Sequence, residues 1–230
     1  MLGINIGKSR TVQLEDATAD YLASFDLIHP FADYVVVNVS SPNTPNLREL
    51  QRADSLEALL FALMKRNKEL SAQRQSQLVP ILVKIAPDLS VSELEAIVDV
   101  AQRANLSGII ATNTTTSRDG LQTLNPVVQA CGEGGLSGCP LARRATKIIS
   151  MLYRLTKGRL TIVGVGGVFT AEDAWEKICA GAGLVQVYTG FVYQGWGIAR
   201  DINRGLAEIL MREGIKSLDD AVGMKSKVEG

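Results

Sequence analysis

The chain has a single histidine, His29, in 230 residues, and that scarcity removes much of catalytic chemistry at the outset. Ser-His nucleophiles and His-metal centres need imidazoles held beside their partners. The one ring available precedes Pro30, at the entrance to an apolar strand rather than its exit, so His29 reads as a structural loop residue. Cysteine is sparse too. Cys131, Cys139 and Cys179 are an odd number without a C-x-x-C pair, which argues against a disulfide framework and a zinc site and fits a reducing compartment; no metal is expected.

Charge of one sign is also missing. Twenty-four basic residues balance twenty-four acidic ones with no basic run, so nothing calls for nucleic acid or an anionic membrane surface. No apolar stretch approaches the roughly 18 to 20 residues of a bilayer span, and Met1 leads into a strand rather than a signal peptide, so the chain as given reads as soluble. With 46% hydrophobic residues there is enough apolar surface for one ordinary core.

What is present is alternation. Apolar strands are expected at Leu2–Ile6, from Val35, at Val79–Ile85, Leu106–Ala111, Leu160–Val165 and Leu184–Val187. Helical periodicity falls between them: around Ala17, Tyr21 and Phe25, around Leu56 to Met64, around Leu94 to Ala101, over Pro140–Thr156, through Trp175 and Ile178, and over Ile198–Met211. Asp54 with Glu57, Ser90 with Glu93 and Thr170 with Asp173 predict capping boxes, and polar Lys65–Gln77 predicts a fraying end to the second helix. Six βα units with near-continuous apolar strands mean an α/β protein with a parallel sheet under helices. A doubly wound sheet would want G-x-G-x-x-G directly after a strand, and the only near miss is Gly164-Val165-Gly166-Gly167 in the fifth unit. The preferred fold is therefore a (β/α)8 TIM barrel, with about six of the eight βα units present, as one partial barrel domain over residues 1–230.

Barrel sites gather at the C-terminal ends of strands. Those ends supply Asn5, then Asn38 with Ser41 and Asn43, then Lys84, then Thr112 with Asn113 and Thr114, then Gly166 and Gly167, then Tyr188 and Thr189. The organising stretch is VVVNVSSPNT, Val35–Thr44, in which a buried strand delivers short hydrogen-bonding side chains and Pro42 stops the ladder; an ordinary Ser/Asx turn is its plainer reading. The glycines of the fifth unit and Tyr188-Thr189-Gly190 of the sixth suit a phosphate, or else a tight turn alone. Lys84, a charge inside an apolar strand, suits an anionic ligand, or else snorkels at the rim.

Asn38-Val39-Ser40-Ser41-Pro42-Asn43-Thr44, Leu82–Asp88, Thr112–Thr115, Gly134-Gly135-Leu136-Ser137-Gly138 and Gly164–Val168 together resemble the dihydroorotate dehydrogenases. Serine rather than cysteine at position 41 resembles the class 2, quinone-reducing branch. The resemblance implies oxidation of (S)-dihydroorotate to orotate with FMN as hydride acceptor and quinone as electron acceptor, in pyrimidine (UMP) biosynthesis. Carried over to matching positions, Ser41 is the catalytic base; Asn5, Asn38, Lys84, Thr112, Gly138, Gly167, Tyr188 and Thr189 hold the flavin; Asn38, Asn43, Asn113 and Thr114 hold the substrate. Cys139 stands where relatives often carry a basic residue. The resemblance further implies an N-terminally truncated copy, since Met1–Asn5 match the family's third barrel strand. Such a copy lacks the membrane-associating, quinone-binding helices of a peripheral membrane protein (bacterial cell membrane or mitochondrial inner membrane) and is expected to be catalytically incompetent alone. Two other classes stay open: another phosphate-binding barrel, an isomerase or a different FMN oxidoreductase, and a non-catalytic fragment with motifs kept by descent.

Overall fold

Short apolar strands that each run into an amphipathic helix satisfy their backbones by pairing in parallel beneath those helices. The computed structural model describes residues 1–226 and shows that pattern. The chain divides into two compact units, Met1–Ile110 and Ala111–Gly230. The first holds β1 (Gly3–Gly7), α1 (Ala17–Ile28), β2 (Tyr34–Asn38), α2 (Ala53–Arg74), β3 (Ile81–Ile85) and α3 (Val91–Arg103), and β4 (Gly108–Ala111) runs across the boundary. The second holds α4 (Asn125–Ala130), α5 (Ala142–Thr156), β5 (Thr161–Val165), α6 (Ala171–Ala180), β6 (Leu184–Gln186), α7 (Thr189–Gln194), α8 (Ile198–Glu213) and α9 (Leu218–Ala221). Strand order in the sheet is chain order, β1 to β6. A doubly wound sheet reverses its order at a switch point, so the barrel topology is the one realised, in six βα units.

In the first unit β1, β2 and β3 pair in parallel with Gly7 opposite Asn38 and Asn38 opposite Lys84. Val35, Val37, Val83 and Ile85 are fully buried, as are Tyr21 and Phe25 of α1, Leu56, Leu59, Leu60 and Leu63 of α2, and Ile97 of α3. Each such side chain is worth roughly 1.5–3 kcal/mol of transfer free energy, which outweighs the surface ion pairs between the helices. Those pairs are Arg66 gripping Asp26 with Nε and Nη2 at 2.7 and 2.9 Å, and Arg103 on Glu57.

Three expectations about this unit are corrected. α2 begins directly after Arg52 rather than at an Asp54 cap, and Glu57 is taken up by Arg103 of α3 instead of a capping box. Its polar second half does not fray, because the helix runs on to Arg74 with Asn67 and Ser71 buried. There Asn67 Nδ2 donates to the Val79 carbonyl at 2.8 Å, and its Oδ1 accepts from the Val79 amide at 3.2 Å. His29 is a buried C-cap rather than a loop residue: it stacks edge-on against Phe25 and shares its Nε2 with Asn67 Oδ1 at 3.2 Å. The other two capping boxes form as expected, at Ser90–Glu93 and Thr170–Asp173.

In the second unit β5 and β6 pair in parallel, and the Thr112 amide donates to the Val165 carbonyl at 3.0 Å, so the exit of β4 lies beside that of β5. α5 buries Ala145, Ile148, Ile149 and Leu152. α6 and α8 close a second cluster built on Ala174, Ile178, Ile198, Ile202, Leu206 and Ile209. Three short helices were not legible in the sequence: α4, inside the glycine-rich loop, α7, straight after β6, and α9, after the last long helix.

Candidate active site

Strand alternation sets the chemistry of the first unit. Asn5, Val36 and Leu82 occupy one register row and Gly7, Asn38 and Lys84 the row two residues on, so Asn5, Asn38 and Lys84 all project from one face. Ile6, Val37 and Val83 alternate to the face that is fully buried or nearly so. Neighbouring parallel strands lie about 4.8 Å apart, which makes Asn38 and Lys84 side-by-side at the C-terminal end of the sheet. Asn5 is one pleat lower and exposed. Lys84 is half-buried, and burial lowers its pKa from the ordinary lysine value. An ammonium in that position gains from an anionic partner.

Beyond Asn38 the chain turns under local control. The buried phenol of Tyr21 donates to the Asn38 carbonyl at 2.7 Å, while Asn38 Oδ1 accepts from the Ser40 amide at 3.3 Å and the Ser40 hydroxyl at 3.0 Å. Burial raises the Tyr21 pKa, so this donor stays protonated. Ser41 is half-buried and its Oγ accepts from the Asn43 amide at 3.2 Å, an ST turn that leaves the Asn43 side chain exposed. Asn38, Ser41, Asn43 and Lys84 thus lie at the exits of two adjacent strands.

The second unit presents different material at its strand exits. Thr112 is buried with its hydroxyl donating to the Asn113 carbonyl at 2.9 Å, and Asn113 Oδ1 accepts from the Thr114 amide at 2.8 Å. After β5, Gly167 has φ +69, and a Cβ there would stand 2.5 Å from Ala142 Cβ and 2.8 Å from its Cα, at the start of α5. Only glycine allows that approach. Gly138 and Thr189 meet across the loop: a Cβ on Gly138 would lie 3.3 Å from Thr189 Cγ2, and Thr189 Oγ1 donates to Ser137 Oγ at 2.9 Å. Gly190 closes on the Val168 carbonyl, where a Cβ would fall 2.3 Å away. Gly138, Thr189 and the Gly166–Val168 turn therefore form a cradle of backbone and hydroxyl groups. Tyr188, at the exit of β6, is 76% exposed.

The family model for dihydroorotate dehydrogenase matches residues 1–210. The chain belongs to the dihydroorotate dehydrogenase family. Curated relatives named dihydroorotate dehydrogenase (quinone) include one from Trichodesmium erythraeum, 49% identical over 98% of this chain and 58% of its own length. One from Mycobacterium bovis is 50% identical over 96% of this chain and 59% of its own. Among solved structures, dihydroorotate dehydrogenase of Eimeria tenella in complex with ferulenol superposes with a TM-score of 0.89 at 38% identity, covering 99% of this chain and 62% of that one. The chain spans about three fifths of the length of the relatives it matches.

Dihydroorotate dehydrogenases use a flavin, and the donor set here fits one. A cradle closed to any Cβ at Gly167 and Gly190 suits close approach of a phosphate to backbone, and a half-buried lysine beside an asparagine amide suits an electron-rich ring. A residue that sequence reasoning missed is Ser137, which accepts a hydrogen bond from Thr189. Ser137 carried no signal beyond its place in the G-G-L-S-G run.

Proposed function

We propose that the chain is the FMN- and substrate-binding part of a quinone-dependent dihydroorotate dehydrogenase, with residues 1–230 acting as one partial barrel domain. The observation that carries this reading is the Ser41 turn lying at the exit of β2, where Asn38 holds the neighbouring Ser40 and pairs in register with Lys84 of β3. Bound FMN supplies the hydride acceptor for C6 of dihydroorotate. Asn5, Asn38, Lys84 and Thr112 hold its ring, with Lys84 opposing negative charge there, and Gly138, Gly167, Tyr188 and Thr189 hold its phosphate.

Ser41 removes the C5 proton. A neutral hydroxyl is a weak base, so its Oγ has to be aimed at C5 and sheltered from bulk water, with the proton passed on to water or a neighbouring hydroxyl. Asn38, Asn43, Asn113 and Thr114 bind the amide edges and carboxylate of the pyrimidine, work suited to paired donors and acceptors. The electron acceptor is a quinone and the assembled enzyme is peripheral to the membrane; among the described residues no helix is long and apolar enough to cross one.

The test uses residues 1–230 alone and joined to the remaining two fifths or so of the Trichodesmium erythraeum relative. Both proteins are assayed for bound flavin by absorbance and for orotate formation with a soluble quinone. The joined protein is expected to oxidise dihydroorotate. A joined protein that holds flavin yet forms no orotate overturns the reading and favours a different FMN barrel.

A further inference from the structure

The loop that carries Ser41 is held from two sides. Inside the strand exit, Asn38 Oδ1 fixes the amide and hydroxyl of Ser40. Outside it, Arg48 Nε donates to the Ser40 carbonyl at 3.1 Å. That oxygen belongs to the peptide plane joining Ser40 to Ser41, so gripping it sets the direction in which the Ser41 side chain leaves the backbone. The same guanidinium donates through Nη1 to Asp88 Oδ2 at 2.9 Å, with both side chains at least three-quarters buried.

Asp88 lies four residues beyond Lys84, on the exit of the next strand. A second tie runs beside the first: Gln51 Oε1, buried, accepts from the Ala86 amide at 2.8 Å. Arg48 and Gln51 both belong to the 3-10 turn Leu47–Gln51, which is itself pinned by buried Leu47 and Leu50. One turn therefore spans the exits of β2 and β3, the first bearing Ser41 and the second Lys84.

We infer that Arg48, backed by Asp88, is a positioning residue for proton removal, a reading that rests on the function proposed above. Arg48 aims Ser41 through the Ser40 carbonyl, and Asp88 fixes the guanidinium to the strand that carries Lys84. The base and the cationic side chain thereby keep one spacing. The fork matters, since Nε and Nη1 serve two acceptors in fixed directions and an ammonium on a flexible stem cannot reproduce both.

In the flavin-loaded enzyme, Arg48→Ala is expected to lower kcat about 10- to 100-fold, the scale on which a misplacement of about 1 Å acts, with KM nearly unchanged. The primary deuterium isotope effect with substrate labelled at C5 should rise, because proton removal becomes more fully rate-limiting. Arg48→Lys should not restore either value, and Asp88→Asn, which keeps an acceptor but loses the charge, should fall between. In the 230-residue chain, hydrogen exchange of segments 40–46 and 86–88 should quicken together in Arg48→Ala while α6 and α8 keep wild-type rates. Wild-type kcat and isotope effect in Arg48→Ala overturn the inference. So does a fall in kcat, in Arg48→Ala and Asp88→Asn alike, that tracks lost flavin with the isotope effect unmoved, the mark of a merely structural role. Should the unaltered enzyme not oxidise dihydroorotate, the functional reading fails first, and unchanged exchange in the two segments would still refute the brace.

Discussion

The two units build their strand exits from different materials. Residues up to Ile110 offer side chains, with the Asn38 amide, the Ser41 hydroxyl and the Lys84 ammonium standing on strand ends tied together by Arg48 and Gln51. Residues from Ala111 onward offer chiefly backbone and small hydroxyls, packed so tightly at Gly167 and Gly190 that no side chain fits. Side chains can supply a base and a charge matched to a reacting centre; glycine turns can supply many amides to a phosphate at short range. The division predicts that chemistry and cofactor retention can be damaged separately.

The largest effect is expected at Ser41. Ser41→Ala in the joined, flavin-loaded enzyme should lower turnover of dihydroorotate about 10²- to 10⁴-fold, the usual contribution of a positioned base, with flavin content unchanged. Near-normal turnover would remove Ser41 from the mechanism. Next comes Gly167→Ala, which forces a Cβ into Ala142 at a φ that side chains rarely adopt; a loss of about 3 kcal/mol of stability, read by urea unfolding, should accompany loss of flavin. If that variant retains flavin and stability while Ser41→Ala sheds the cofactor, cofactor retention rests on the first unit rather than the second.

A third variant sharpens the comparison between two lysines. Lys84 is half-buried at a strand exit, whereas Lys177 of α6 is wholly enclosed, its Nζ donating to Thr146 Oγ1 at 3.2 Å, and burial lowers its pKa to about 8. Unfolded lysine titrates near 10.5. Between those values the unfolded chain binds the extra proton, so stability should rise as pH goes from about 8 towards 10.5 and should be lowest, for this group, below about 8. Lys177→Met should flatten that rise and stabilise the protein at pH 7 by on the order of 2 kcal/mol, with melting followed across the range. Parallel pH curves for the two proteins would show that Lys177 is charged at no cost. The smallest effect is expected at Ser90→Ala, which deletes the cap of α3 and should cost about 1 kcal/mol in chemical denaturation without altering flavin binding.

Local rules made much of this legible. Ser90–Glu93 and Thr170–Asp173 form capping boxes because each pair answers only to its own helix start, and the polar residues after β2, β3 and β4 stand at strand exits because near-continuous apolar runs end there. Asp54–Glu57 had the same spelling and failed. Arg103 on α3 competes for Glu57, and nothing within four residues of Glu57 records that. His29 and Lys177 were misjudged or passed over for a related reason: their burial depends on α2 and α5, which are distant in the chain.

The sequence by itself determined the class of fold, the six βα units, the strand-exit residues and the family, since alternation, capping and short motifs are properties of adjacent residues. Only the tertiary structure decided how those exits are held. The grip of Arg48 on Ser40 and Asp88, the meeting of Gly138 with Thr189, and the closure of Gly167 on Ala142 join positions between 8 and 51 residues apart. Such contacts have no period and no local propensity. They exist because parallel pairing places successive strand exits side by side, and packing then fixes which side chains can reach across.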